Sequence, residues 1–531
     1  VEQHIPKTKI RDINSPPWID CEVIHLLHKK DAARKRALSH DHSSNVRSSQ
    51  NRAWEKYRNL RREAKALIDR KHREYLDAVA SSVCSNPKRF WSYIKARTKT
   101  GSVPNTVSHN RTKFSTPETI AKAFNDFFYS SFSDSSVIDL NTGVHNRTTT
   151  TVLTDINVTA AEVADLLSNL DVNKALGPDG IPARILKECA NELAPSLCHL
   201  FNKSLSLGVV PSQWKLAHVV PIHKKGSKEF VDNYRPVSLL CILSKVLERC
   251  VFKRLYAHLA PVLQNVQHGF IKGRSTVTEL LSFLHDIGVA LDKGLQTDVV
   301  YLDFSKAFDS VDHGRLVLKL KQHGVEGNLL SWLANYLTNR KQRTVVRGIM
   351  SKPLPVISGV PQGSILGPLL FVVYTNDLQT TVASNCSLLL YADDTKCYKT
   401  INTSNDSNKL QEGLDLLYRW SREWRLNFNI KKCDCVHITK KRAPANHVYY
   451  LGDNNLGTSD SQKDLGLLIS SNAKWSKHSS KAINKAYSML GLLKRNCSNE
   501  YFSVRARRLL YLALVRSHVD YASEAWSGQS I

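Results

Sequence analysis

The sequence predicts an α+β protein in which a basic helical region precedes a mixed body of strands and helices. Three observations carry this. Between Trp54 and Val79, apolar residues fall mostly at steps of three and four, the signature of a helix with one buried face. From residue 152 onward, short apolar runs alternate with longer periodic ones. Two of the short runs end in carboxylates, at Asp303 and at Asp393-Asp394.

Taken in chain order, residues 29 to 99 carry 20 Lys/Arg against 7 Asp/Glu. Trp54, Tyr57, Leu60, Ala64, Leu67, Ile68, Tyr75 and Val79 line the apolar side of a long helix with a basic outer face, and Asn86-Pro87 ends it. That basic face is either simply solvated or a nucleic-acid contact. Phe90, Trp91, Tyr93 and Ile94 begin a short second helix. Residues 100 to 115 read as a polar linker, and Ser115-Thr116-Pro117-Glu118 as a helix start with Pro near the first helical position. Ile120, Phe124, Phe127 and Phe128 form its stripe. Residues 133 to 151 read as a Ser/Thr/Asn-rich loop. Val219 to Ile222, Asp298 to Asp303, Leu388 to Tyr391 and Thr395 to Tyr398 read as strands. Leu239 to Leu259 and residues 410 to 426 read as helices, and no repeat of fixed period is found.

The chain has 531 residues, and 42% hydrophobic with 23% charged residues excludes wholesale disorder. A net charge of +27 predicts a polyanionic partner, because such a field concentrates phosphates. Eleven cysteines without CxxC spacing argue against a zinc module or a disulfide framework and suit a reducing compartment. No run approaches the roughly 18 apolar residues of a membrane span, and no secretory signal is seen at the N-terminus. Residue 1 is Val and the first Met is Met350, which predicts a piece of a longer open reading frame.

Chemistry concentrates at Tyr391-Ala392-Asp393-Asp394. Two adjacent carboxylates repel, which raises one pKa unless cations neutralise them, and hard divalent cations prefer carboxylate oxygen. A plain Asp-Asp turn is the alternative for the motif alone. Upstream, Val299-Val300-Tyr301-Leu302-Asp303-Phe304-Ser305-Lys306-Ala307-Phe308-Asp309 supplies a third carboxylate at a strand end. Two metals about 4 Å apart at such a site can clamp the attacking and leaving oxygens of a phosphoryl transfer. Between the two motifs, Ser358-Gly359-Val360-Pro361-Gln362-Gly363-Ser364-Ile365-Leu366-Gly367-Pro368 allows close backbone approach, and Gln362 can hydrogen-bond a sugar or base.

The ordered set resembles the reverse transcriptase of non-LTR (LINE-type), jockey-like retrotransposons. It comprises Asn173-Lys174-Ala175-Leu176-Gly177-Pro178-Asp179-Gly180, Asn233-Tyr234-Arg235-Pro236-Val237-Ser238-Leu239 and Gln267-His268-Gly269-Phe270, together with the Asp303, Gln362 and Asp393 segments. The likeness covers about residues 152 to 531, and the basic region resembles the family's linker-like extension. Leu176 stands where the family usually has Pro.

The resemblance implies a right-hand polymerase: a basic, mostly helical extension over 1–150, fingers over 151–295, palm over 296–470 and a truncated thumb from 471 to 531. It implies that Asp303 and Asp393 bind two Mg²⁺ ions, or Mn²⁺ in their place, with Asp394 less direct and the Phe304 carbonyl a further ligand. Phe308 matches the aromatic that excludes a 2′-hydroxyl. Arg235 matches the arginine that meets the incoming triphosphate, and Lys224 or Lys225 adds a cation. Gln362, with Gly363 beside it, matches the residue next to the nucleotide sugar. Lys431 or Lys432 matches the lysine that protonates leaving pyrophosphate. Leu465-Gly466-Leu467-Leu468 resembles a hairpin that grips the primer end.

The implied function is an RNA-directed DNA polymerase. Its partners would be an RNA template, a DNA primer and dNTPs, with no membrane. It would act inside the cell, in the nucleus after a cytoplasmic ribonucleoprotein stage. No segment resembles the family's upstream endonuclease, so the nicking activity is expected elsewhere. Two rivals remain at this point: a catalytically silent nucleic-acid-binding remnant, and an RNA-dependent RNA polymerase, against which Phe308 and Ala392 count.

Overall fold

The computed structural model describes residues 16–39, 47–98, 103–133, 147–382, 384–497 and 502–526. They form two compact units, one drawn from residues 1–100 and 476–523, the other from 101–475 and 524–531.

The first unit is helical. The amphipathic stretch expected from Trp54 to Val79 is the helix Arg47–Ser81, followed by Pro87–Thr98. A helix not read from the periodicity, Cys21–Ser39, is tied to it through Lys71, whose ammonium lies 2.8 Å from both Asp20 and Glu22. Leu76, Val79, Val83, Phe90 and Ile94 share one core with Leu493, Phe502, Ala506 and Leu510 from the far end of the sequence. Arg47–Ser81 therefore has a real packing face, while Arg52, Lys56, Arg58, Arg61, Arg62, Lys65, Arg70 and Arg73 are exposed.

The second unit carries two five-stranded sheets. One runs in the order Gly457–Thr458, Asp434–Ile438, Gln296–Asp303, Asp394–Ile401, Ser387–Tyr391. All its pairs are antiparallel except the first. Its middle strand, Gln296–Asp303, is buried on both faces, which is why its stretch from Val299 to Leu302 reads as a continuous apolar run rather than an alternating one, while Gln296, Thr297 and Asp298 are buried polar residues. Val300 and Leu302 point into the main core with the apolar helix Gly367–Tyr374. Val299 and Tyr301 point the other way, toward Phe283 and Ile287 of the helix Thr276–Asp292 and Ile469 of the hairpin Ser461–Asp464/Leu467–Ser470.

The other sheet pairs Leu216–His223 antiparallel with Tyr234–Leu239 and parallel with Arg340–Val346. The helix Pro117–Tyr129 starts where expected, with Thr116 as its N-cap. Its stripe of Ile120, Phe124 and Phe128 covers this sheet at Val219, Tyr234 and Val346. The boundary expected at residue 150 thus falls earlier, because that stripe finds its apolar partner in the second unit. The expected linker 100–115 also holds a short hairpin, Val107–His109 with Thr112–Phe114. Of the expected loop 133–151, residues 134–146 lie outside the described residues. No helix among the described residues is long and apolar enough to cross a membrane.

Candidate active site

The site is set by strand register. Asp303, the last residue of its strand, stands directly opposite Asp394, the first residue of the neighbouring strand. Tyr391 pairs with Asp394, so Ala392 and Asp393 form a two-residue turn, with Ala392 held at φ +58°. Three acidic residues separated by up to 91 positions are thereby gathered at one sheet end.

Burial first, and then mutual repulsion, shape the acidities of Asp393 and Asp394. Burial, then the charges of Asp393 and Asp303, push the Asp394 carboxyl up to about 6. Burial also raises Asp393, and Asp303 adds to it, while Arg235 and Lys224 act in the opposite direction. Burial lowers the Lys224 amine most, followed by the neighbouring positive charges of Arg235 and Lys432, with Asp303 opposing. Lys224, Arg235, Lys432 and the carboxylates therefore share one electrostatic neighbourhood. Lys432 closes on it directly: its Nζ lies 2.5 Å from Asp303 Oδ2. Lys224 and Lys225 both have exposed side chains in the loop between the paired strands Leu216–His223 and Tyr234–Leu239.

Among the described residues, no three His, Cys, Asp or Glu side chains close into a ready metal cage. The donor chemistry nonetheless fits hard divalent cations: oxygen-only ligands, clustered negative charge, and, at Asp393 and Asp394, carboxyls whose ionisation is held back by burial and by neighbouring carboxylates. Asp303, Asp393 and Asp394 could hold them. Phe304 stacks on Phe428, and the backbone bonds that bridge these segments come from Asp303 and Ser305, which leaves the Phe304 carbonyl out of that pairing.

Phe308 lies flat on Phe371, with ring centroids 4.7 Å apart and 15° between planes, and meets Phe270 edge-on at 6.2 Å. The Gly-rich loop fixes its backbone. Val360 N–H donates to the Phe308 carbonyl at 2.8 Å, and Ser358 Oγ–H donates to the Asp309 carbonyl at 2.6 Å. Gly359 has φ +85°, and a Cβ there would sit 2.6 Å from the Phe308 oxygen. Gly363, at φ +121°, would similarly clash with the Ser238 carbonyl, while Ser238 N–H donates to the Gln362 carbonyl at 2.8 Å. The loop is thus pressed between the Arg235 strand and the Phe308 segment.

Several residues of the site were not singled out by pattern. Gln362 Nε2 donates to Asp309 Oδ1 at 3.0 Å, and burial pushes the Asp309 carboxyl up to about 6. Glu248, fully buried, accepts from the Ile365 and Leu366 amides and fixes the far end of the same loop. Beneath Asp394, Lys396 Nζ lies 2.5 Å from Asp464 and 3.1 Å from Glu279, all three buried. A signal existed for Lys396, the one charged residue in the stretch Thr395 to Tyr398, but not for Glu248, which is followed by the exposed Arg249.

Comparison with known proteins agrees with this geometry. Residues 222–467 match the family model of the reverse transcriptase (RNA-dependent DNA polymerase). The chain is 30% identical to the probable RNA-directed DNA polymerase from transposon BS of Drosophila melanogaster, over 69% of this chain and 42% of that protein. It is 32% identical to the RNA-directed DNA polymerase from mobile element jockey of the same species, over 54% of this chain and 32% of that one. For the probable RNA-directed DNA polymerase from transposon X-element, identity is 31% over 60% and 36% of the two chains. The chain therefore spans less than half the length of these curated relatives. Residues 222–467 thus carry a reverse transcriptase domain similar to those of the non-LTR retrotransposons, and this segment contains Asp303, Asp393, Asp394, Arg235, Phe308 and Gln362.

Proposed function

We propose that this chain is the polymerase core of such an element, extending the 3′-hydroxyl of a DNA primer with dNTPs on an RNA template. The observation that carries the reading is the register of Asp303 against Asp394 with Asp393 at the intervening turn. In this reading the Asp303 sheet is the palm, the Arg235 sheet belongs to the fingers, and residues 476 onward begin the thumb.

Asp303, Asp393 and Asp394, with the Phe304 carbonyl, would hold two Mg²⁺ ions, which supply charge neutralisation and Lewis-acid polarisation at the phosphoryl group. Arg235 and Lys224 would bind the triphosphate, the former through a planar donor fork suited to phosphate oxygens. Lys432 would give a proton to the departing pyrophosphate. Phe308, held flat on Phe371, would occupy the space a 2′-hydroxyl needs. The Gln362 amide, oriented by Asp309, would sit beside the sugar. Much of the rate would come from positioning and electrostatics rather than covalent chemistry by the protein. In the parent element the primer would be a nicked genomic DNA end, which places the reaction in the nucleus.

The test is primer extension on an RNA template with dNTPs or NTPs, with Asp393→Asn as control. Extension with dNTPs alone that disappears in the variant supports the reading. Binding without extension would make the chain a silent remnant, and preference for NTPs would make it an RNA polymerase.

A further inference from the structure

The Asp393 turn contains an unfavourable element. Ala392 sits at φ +58°, a left-handed conformation that an L-residue with a Cβ resists and that glycine would adopt freely. Something outside the turn must hold it.

The segment Gln264 to Gly269 lies against it. Main-chain bonds run from His268 N–H to the Leu390 carbonyl at 2.7 Å and from Leu390 N–H to the Val266 carbonyl at 2.9 Å, extending the sheet edge beside the turn. The Gln267 side chain then curls onto the turn: its Oε1 accepts from Ala392 N–H at 3.0 Å and from Gly269 N–H at 2.7 Å. Gly269 packs so closely that a Cβ there would overlap the Ala392 amide nitrogen. Arg274 braces the segment from behind, donating to the carbonyls of Gln264, Asn265 and Gln267.

One detail separates this from ordinary packing. Gln267 is 3% exposed, and its Nε2 has no hydrogen-bond partner among the described residues. A buried donor left without a partner is destabilising, so a residue chosen only to fill space here would be Leu or Met. The amide is tolerated for its oxygen.

We propose that Gln267 is the positioning residue for Asp393, its Oε1 holding the Ala392 amide so that the turn keeps a left-handed alanine and presents the carboxylate in one place. The functional consequence rests on the reading of Asp393 as a metal-binding residue; the mechanical one does not.

The experiment uses Gln267→Met, similar in volume but without the acceptor, alone and combined with Ala392→Gly. Two readouts need no turnover: hydrogen exchange across residues 388–398, and Mn²⁺ binding followed by electron paramagnetic resonance. The Met variant is expected to lose protection at the turn and to bind Mn²⁺ about three- to tenfold more weakly, the scale of one lost hydrogen bond. Ala392→Gly is expected to restore both, since glycine removes the need for the clamp. Unchanged exchange and Mn²⁺ affinity in Gln267→Met would overturn the assignment, as would loss that glycine does not rescue. If the single variant folds poorly, the double decides: recovered folding with native Mn²⁺ affinity supports the proposal, and no recovery refutes it. Should the wild type bind Mn²⁺ but fail to extend a primer, the polymerase reading falls while this one stands.

Discussion

Replacing Lys432 with Met should move two observables in opposite directions. The Lys432 ammonium lies 2.5 Å from Asp303 Oδ2, where it occupies an oxygen that a divalent cation would need. Cation binding therefore has to displace it. The two side chains are 45% and 32% exposed, so water screens the pair and its worth is that of a surface salt bridge, about 0.5–1 kcal/mol. Removing the competitor should tighten Mn²⁺ binding in the absence of nucleotide by about two- to fivefold, since each 1.4 kcal/mol is a factor of ten. If Lys432 also protonates the leaving pyrophosphate, kcat should fall, by the ~10²-fold or more typical of a lost general acid. The assays are Mn²⁺ titration by electron paramagnetic resonance and single-nucleotide extension by rapid quench. Weaker Mn²⁺ binding in Lys432→Met would refute the competition. An unchanged kcat with tighter binding would leave Lys432 as a charge-balancing residue alone.

Asp394→Asn should raise the melting temperature in EDTA at pH 7–8 by about one or two degrees. The sign follows from a folded-state pKa near 6 against an ordinary value of 3.8. Between those values the folded protein holds the proton more tightly, so wild-type stability falls as pH rises through that window, and the advantage of Asn should fade as pH drops toward 4. A gain that persists at pH 4 would assign the effect to something other than charge. Phe308→Val should lower the dNTP-over-NTP ratio of kcat/KM by about ten- to a hundredfold, the ~1–3 kcal/mol scale of a relieved overlap; an unchanged ratio would leave Phe308 as the packing partner of Phe371. Lys56→Glu, Arg58→Glu and Arg61→Glu together should flatten the salt slope of RNA–DNA duplex binding by about 2 units if each gives up one phosphate contact. These residues are exposed, whereas deletion of residues 1 to 100 would remove Leu76, Val79 and Phe90 from a core shared with Phe502 and Leu510. An unchanged slope would make the basic face merely solvated.

Strand and helix positions were legible wherever local pattern and tertiary burial agreed. The Thr116-Pro117 start appears as a capped helix, and Asp298 to Asp303 as a strand that begins two residues earlier, at Gln296. The gathering of Asp303, Asp393 and Asp394 at one sheet end was legible because paired acids at strand ends are costly and therefore meaningful. What local pattern did not carry was partnership across distance. Nothing near Ile120 tells that its helix closes a sheet around Val219, and nothing near Leu76 points to Phe502. The choice between Lys224 and Lys225 was open for the same reason: adjacent lysines in a loop differ only in which one the fold turns toward Asp303. Gln267 was visible as part of a motif, but its use depends on a side-chain oxygen meeting an amide 125 positions away.

The charge arrangement explains how such a site folds before any cation arrives. Three carboxylates at one sheet end would repel one another strongly if nothing answered them. Lys432 answers Asp303 by direct contact, Arg235 and Lys224 oppose the shift on Asp393, and the buried Lys396 opposes it on Asp394. These cations are not equivalent. Lys396 is locked between Glu279 and Asp464 and cannot leave. Lys432, Lys224 and Arg235 have exposed side chains, and in the proposed function they would swing away from carboxylate toward phosphate. The fold thus separates a fixed counter-charge beneath the carboxylates from movable ones above them. In the proposed function, cations and a triphosphate entering together would bring opposite charges, so the movable groups would exchange partners without leaving any carboxylate or phosphate unbalanced.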